Sequence, residues 1–330
     1  MGKVIGLIIV AGAVGLVIAR SGSLTGSPQA EGKVAAPMLN ADAPQPEEAA
    51  QPAPEPQPAD LAPAAPAEPT PAARTAQVPP RQPQPVRPDP QSADSVQMIQ
   101  QAAALEDRGM RLDARRLLSR AYLQSEGNVR QAARAALDRI NQELVFDPKC
   151  TDGATVHVVQ EGEILGTIGP HYGVSWQCIA RTSGIEDPKR VRVGQKLKVL
   201  TGTRVILVDK SEFILALFID GQFIRQYLVG HGKDDCTPVG SFVVDEMLVD
   251  PTWYPPGGGI IKHGEKGHLI GDRWLGLKDK PGATGLGIHG TNDGPSIGTM
   301  CSNGCVRMHN ADVIELYDFV SPGTVVQIVD

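Results

Sequence analysis

The sequence predicts a multidomain chain: a mainly β C-terminal domain of sandwich or barrel type, preceded by a small β-α-α-β module and a short α-helical hairpin region. Three observations carry this prediction. Of 28 prolines, 18 lie between Pro28 and Pro90, so the first quarter of the chain is not globular. Residues 92–147 change to helix formers with apolar positions at helical spacing. After Thr203 the apolar residues alternate with period two between Gly- and Pro-rich turns, the pattern of many short strands.

The N-terminus opens Met1-Gly2-Lys3, followed by an uncharged run from Val4 to Ala19. Its length falls between a signal-peptide core and a full membrane span. Val17-Ile18-Ala19-Arg20 is a poor cleavage site, so residues 1–24 are expected to be a membrane anchor or uncleaved signal. Residues 25–91, rich in Pro, Ala, Gln and Glu, have too few large apolar side chains to offset the entropy of ordering, and read as a disordered linker. The net charge is -6 and no basic cluster appears, which argues against nucleic acid as a partner.

In 92–147 a first helix is expected near Ser95 to Asp107, and a second carries Ala114, Leu117, Leu118, Ala121 and Tyr122 on one face. A third follows Asn128, read as its N-cap, with Val129, Ala132, Ala133, Ala136, Leu137, Ile140 and Leu144 in one stripe. This region is expected to be a spacer or packing module. Residues 154–201 then run through a short alternating strand (Val156, Val158), a turn at Glu161-Gly162, two short helical stretches and a closing strand from Lys196 to Leu200. In 203–330, Val205 to Val208 and Phe213 to Ile219 are strand-like. Asp220-Gly221 is a hairpin turn leading into Phe223 to Val229, and one helix spans about 311–320.

Two segments concentrate chemistry: Ile288-His289-Gly290-Thr291 and Ser302-Asn303-Gly304-Cys305-Val306-Arg307-Met308. A thiolate is the nucleophilic form of cysteine, and a nearby imidazole can take its proton and return it to a leaving group. Gly304 permits close backbone approach, and N–H groups around a nucleophile on a tight turn can face a developing oxyanion. Cys301, Cys305 and His309 raise a zinc site as another reading, but structural zinc sites show tighter Cys pairs and a fourth ligand. No metal and no cofactor are expected.

Val158-Val159-Gln160-Glu161-Gly162-Glu163-Ile164-Leu165, His171-Tyr172-Gly173-Val174-Ser175 and Val193-Gly194-Gln195-Lys196-Leu197 resemble a LysM module. The resemblance implies a β-α-α-β fold that binds N-acetylglucosamine-containing glycan. Gly169-Pro170 departs from the pattern where the first helix should finish, which points to reduced glycan affinity. Residues 203–330 resemble the YkuD-type L,D-transpeptidases, through the Cys and His segments together with Thr237-Pro238-Val239-Gly240, Pro251-Thr252-Trp253, Ser296-Ile297-Gly298 and Gly323-Thr324-Val325-Val326.

That second resemblance implies a β-sandwich-like catalytic domain acting on peptidoglycan stem peptides, with the chain in the cell envelope and its catalytic domain outside the cytoplasm. It implies Cys305 as nucleophile forming a thioester, and His289 as base, oriented by the Gly290 carbonyl. The N–H groups of Asn303, Gly304 and Cys305 would form an oxyanion hole, Ser302 would order the turn, and Arg307 would help position substrate. Trp253 and Tyr254 are candidates for the cleft wall. The product would be a cross-link between third-position residues of two stems. Water as acceptor would make the same site an L,D-carboxypeptidase, and a protein acceptor would attach that protein to the wall. A non-catalytic LysM wall-binding protein is the reading of another class. Asn303 stands where the family commonly has histidine, which leaves His289 as the base. Cys150, Cys178, Cys236 and Cys301 form an even set once Cys305 is set aside, and the expected pairs are Cys150 with Cys178 and Cys236 with Cys301.

Overall fold

The structure, a computed structural model, describes residues 90–255 and 257–330. The expected anchor (1–24) and nearly all of the expected linker (25–91) lie outside these residues. Helices α1 (Pro90–Asp107), α2 (Arg111–Leu123) and α3 (Gly127–Leu144) come first, so the helical region opens at Pro90, a first-turn position where the missing N–H goes unused. Asn128 is not the N-cap of α3. Glu126 holds that position, and the Gly127 N–H donates to Glu212 Oε1 at 2.8 Å, so a tertiary carboxylate caps the helix.

The next module is β1 (Thr155–Val158), α4 (Leu165–His171), α5 (Trp176–Thr182) and β2 (Lys196–Val199), with β1 antiparallel to β2. Val159, Leu165, Ile168, Val174, Ile179, Leu197 and Val199 form its core. Gly169-Pro170 falls in the last turn of α4, which finishes at His171 as the sequence implies. A Cβ on Gly169 would come within 2.7 Å of the Val174 carbonyl oxygen, so glycine is what lets the chain after α4 fold closely back.

The C-terminal part comprises β3 (Arg204–Asp209), β4 (Ile214–Ile219), β5 (Gln222–Leu228), β6 (His231–Gly232), β7 (Gly240–Val249), β8 (Arg273–Leu277), β9 (Gly287–Thr291), β10 (Met300–Ser302), β11 (Val306–His309), α6 (Asn310–Phe319) and β12 (Val325–Val329). Eight of these strands make one mixed sheet in the order β11-β9-β8-β7-β12-β3-β4-β5. The joint is β7, whose first half pairs with β12 and whose second half pairs with β8 across a register shift between Val244 and Glu246. The expected sandwich is therefore one continuous sheet whose two halves share a core with α6: Val208, Leu217, Val244, Leu275, Ile288, Val306, Leu316 and Ile328 all belong to it.

All six residues of β4 are buried, because both of its faces are covered. Leu215, Leu217 and Ile219 enter the main core, while Ile214, Ala216 and Phe218 pack under the helices with Leu118, Leu137 and Ile140. The helical region is thus a packing layer. It also shields the sheet edge: the Phe223 N–H of edge strand β5 donates to Ser119 Oγ at 3.0 Å, and the Phe223 carbonyl accepts from Arg115 and Asn141. Arg130 donates to Asp209 at 2.7 Å and to Glu212 at 3.1 Å, tying α3 to the turn after β3. The β-α-α-β module is fastened to α6, with Ser175 Oγ donating to the Asp318 carbonyl, Arg181 paired with the Asp318 carboxylate and Cys178 inside the main core. Residues from Pro90 onward accordingly belong to one compact unit.

All five cysteines are free thiols, so neither expected disulfide is present. Cys178 is buried in the main core, whereas Cys150 packs against the separate core under the helices. Among the described residues no helix is long and apolar enough to cross a membrane.

Because the helical layer and the sheet share one core, Leu137→Ala should lower the unfolding free energy by about 2–5 kcal/mol, the usual cost of a core leucine truncation. The three tryptophans lie outside the helical layer. Urea unfolding of this variant, followed by circular dichroism and by tryptophan fluorescence, should give coincident transitions. Helical signal lost at lower urea than the fluorescence change would contradict the shared core.

Candidate active site

Strand β11 pairs in parallel with β9, placing Val306 beside Ile288 and Arg307 beside His289, with Cys305 one residue ahead of the first pair. Side chains alternate across the sheet, so Ile288 enters the main core while His289 and Arg307 face the other side. That side opens into a cleft of about 840 Å³ whose walls include Trp253, Tyr254, Trp274, His289, Cys305 and Arg307. Ser302 and Asn303 also reach it. A second cleft of about 510 Å³ lies at the seam between the β-α-α-β module and α6, away from both Cys305 and His289.

His289 is buried, and its Nδ1 lies 2.6 Å from the Gly290 carbonyl oxygen. A carbonyl only accepts, so Nδ1 carries the proton and the neutral ring keeps its lone pair on Nε2. Burial pulls the imidazole down to about 4; the Gly290 hydrogen bond opposes this, and the charges of Arg307 and His268 reinforce it. Burial pushes the Cys305 thiol up, against the Gly287 backbone and Arg307 and with Cys236 adding to the rise. The thiol donates weakly to the Gly285 carbonyl at 3.7 Å. At neutral pH the resting pair is therefore an uncharged thiol and an uncharged imidazole.

The turn bearing Cys305 is held internally and from behind. Ser302 Oγ donates to the Cys305 carbonyl at 2.6 Å and accepts from the Gly304 N–H at 3.1 Å. Thr237 Oγ donates to the Gly304 carbonyl at 2.8 Å and accepts from the Gly232 N–H at 2.7 Å. Gly304 has φ 126°, a left-handed conformation that favours glycine. The Gly304 N–H, expected in an oxyanion hole, is thus already engaged, while Asn303 is exposed. Arg307 is largely buried, sits 3.9 Å from Asp293 and leaves its Nε without a partner.

The structure brings Cys305, His289, Arg307, Ser302 and Asn303 to one cleft and puts Gly290 behind the imidazole. Cys301, Cys305 and His309 do not converge; among the described residues no three His, Cys, Asp or Glu side chains group as metal ligands. Sequence reading missed three residues around the site. Thr237 was noted only as part of a motif. His268 is buried, donates from Nε2 to the Pro251 carbonyl at 2.7 Å and acts on His289 through charge. Trp274 lies directly across β8 and β9 from His289, and only a period-two reading of Arg273-Trp274-Leu275-Gly276 would have put it on the cleft face.

Residues 203–328 match the YkuD family, the L,D-transpeptidase catalytic domain, and residues 157–200 match the LysM domain. The chain is similar to YqjB of Bacillus subtilis, named as an L,D-transpeptidase, with 38% identity over 134 residues covering 40% of this chain and 74% of the relative. It is also similar to YkuD of Bacillus subtilis, named likewise, at 36% over 176 residues, 52% of this chain and 96% of that one. YkuD of Bacillus licheniformis is 30% identical over 181 residues, 52% of this chain and 98% of its own.

The depressed His289 pKa makes stability depend on pH. As pH falls through about 6.5 the unfolded chain takes up a proton that the folded chain refuses until about 4, so stability present above pH 6.5 is lost between those values, about 3 kcal/mol in all. Urea unfolding at pH 7 and pH 4 should show wild type losing about 3 kcal/mol more than His289→Asn, whose amide can still donate to Gly290. Equal losses would contradict a buried neutral imidazole.

Proposed function

Since this chain belongs to the L,D-transpeptidase family, we propose that it cross-links peptidoglycan stem peptides, with Cys305 as nucleophile and His289 as general base. The observation that carries this reading is the β9–β11 register, which sets a neutral imidazole with a free Nε2 lone pair and a thiol on one wall of the same cleft. His289 takes the thiol proton as Cys305 Sγ attacks the carbonyl of the third stem residue. The imidazolium then gives that proton to the departing terminal D-Ala amine, leaving a thioester. The side-chain amine of a second stem attacks the thioester, His289 accepts its proton, and the thiol is regenerated.

The oxyanion of each tetrahedral intermediate falls to the Asn303 and Cys305 N–H groups, because Gly304 donates to Ser302. Ser302 keeps the turn closed, and Arg307, a residue of the cleft wall, positions the donor stem. Gly290 fixes the imidazole tautomer. The LysM domain holds the glycan strand, and its attachment to α6 keeps that strand in fixed register with the cleft. The apolar run from Val4 to Ala19 anchors the chain in the membrane with the catalytic domain outside the cytoplasm.

Incubation with purified disaccharide-tetrapeptide, read by mass spectrometry, should yield a dimer with loss of D-Ala, and Cys305→Ala should yield none. His289→Ala should lower turnover by about 10²–10⁴, the usual contribution of a general base, while Asn303→Ala should reduce it only modestly because the backbone N–H remains. Hydrolysed tripeptide in place of dimer would make the activity an L,D-carboxypeptidase. Product formation by Cys305→Ala would overturn the nucleophile.

A further inference from the structure

Trp274 and His289 are direct cross-strand partners in β8 and β9, and their rings stack with centroids 5.7 Å apart at an interplanar angle of 23°. The indole has a slot made for it. Gly276 and Gly287, themselves cross-strand partners, stand two residues along the same face of their strands. A Cβ on Gly276 would come within 2.8 Å of Trp274 Nε1, and one on Gly287 within 2.5 Å of the six-membered ring. Any side chain at either glycine would drive the indole off the imidazole. The imidazole is thereby held at two places, Nδ1 by the Gly290 carbonyl and one face by the indole, while Nε2 is left unengaged.

In acyl transfer this ring must become a cation for the interval between taking the thiol proton and releasing it. Its surroundings oppose that charge, since the site is buried and Arg307 and His268 are the charged or chargeable groups acting on it. Asp293, the carboxylate near Arg307, is half-exposed and paired with that guanidinium rather than with the imidazole. An indole face is a partner that favours a stacked cation without supplying a formal negative charge. We infer that Trp274 is a positioning residue for the transpeptidation chemistry, its stacked indole orienting His289 and stabilising the imidazolium formed as Cys305 is deprotonated. The inference rests on His289 being the base. It assigns Trp274 no contact with the stem peptide and no proton.

The test uses the full chain with tryptophan, monofluoro-, difluoro- or trifluorotryptophan placed site-specifically at position 274, which weakens the π face with little change in shape. The rate of thioester formation with disaccharide-tetrapeptide, by rapid quench and intact mass, should fall stepwise with fluorination, by about tenfold across the series, with little change in the donor KM. Trp274→Phe should keep part of the rate and Trp274→Leu the least, with thermal melts reporting whether each variant folds. A flat rate across the fluorinated series, with His289→Ala still slow, would overturn the role of Trp274 while leaving the base intact. If His289→Ala formed the thioester as fast as wild type, the base assignment and this inference would fall together.

Discussion

Parallel pairing of two strands cannot be made with a tight turn; it needs a crossover of a dozen or more residues. Between β9 and β11 that crossover is residues 292–305, and its last residues are the turn that carries Cys305. The register of this one pairing therefore fixes both side chains of the proposed pair, His289 from the strand and Cys305 from the end of the crossover that joins the strand's neighbour. Shifting β11 by one residue would send Arg307 into the core and Val306 into the cleft. The rest of the fold supports the pairing. Strand β10 holds the crossover to β6, Thr237 holds the Gly304 carbonyl, and Val306 and Met308 are buried under α6.

Burial of the pair has an electrostatic consequence that runs through the whole site. Removing water from around His289 and Cys305 disfavours both the imidazolium and the thiolate, so the resting state is neutral, and the mechanism we propose makes the ion pair only during reaction. Low polarity that opposes charge in the resting state also strengthens every dipole aimed at the reacting atoms. The packing layers matter for the same reason: the helical region buries one face of β3 and β4, which frees the other face and α6 to enclose the core behind β9 and β11.

Much of this was legible in local residue patterns. The Asp220-Gly221 hairpin is there with φ of 49° and 73°, and Cys305 lies on a glycine turn, whereas His289, whose flanking glycine also reads as a turn, stands inside strand β9. Where the reading fell short, a long-range partner decided the outcome. Asn128 has the side chain of an N-cap, but Glu212 from 85 residues away caps α3 and moves its start. The Gly304 N–H looked free until Ser302 took it. The unbroken apolar run Ile214-Leu215-Ala216-Leu217-Phe218-Ile219 is a signal that both faces of β4 are covered, where a half-buried strand would alternate. Trp274 acquires its place only from the glycines facing it across two strands.

The central claim is that Cys305 rests as a neutral thiol beside a neutral imidazole. Its most direct measurement is the rate of Cys305 alkylation by iodoacetamide between pH 5 and pH 10, resolved from the other four cysteines by peptide mass spectrometry. The rate should climb about tenfold per pH unit through neutrality, as a thiol above its ordinary value requires, with no shoulder below pH 8. A plateau of fast alkylation at pH 5 to 7, the mark of a preformed thiolate–imidazolium pair, would contradict it.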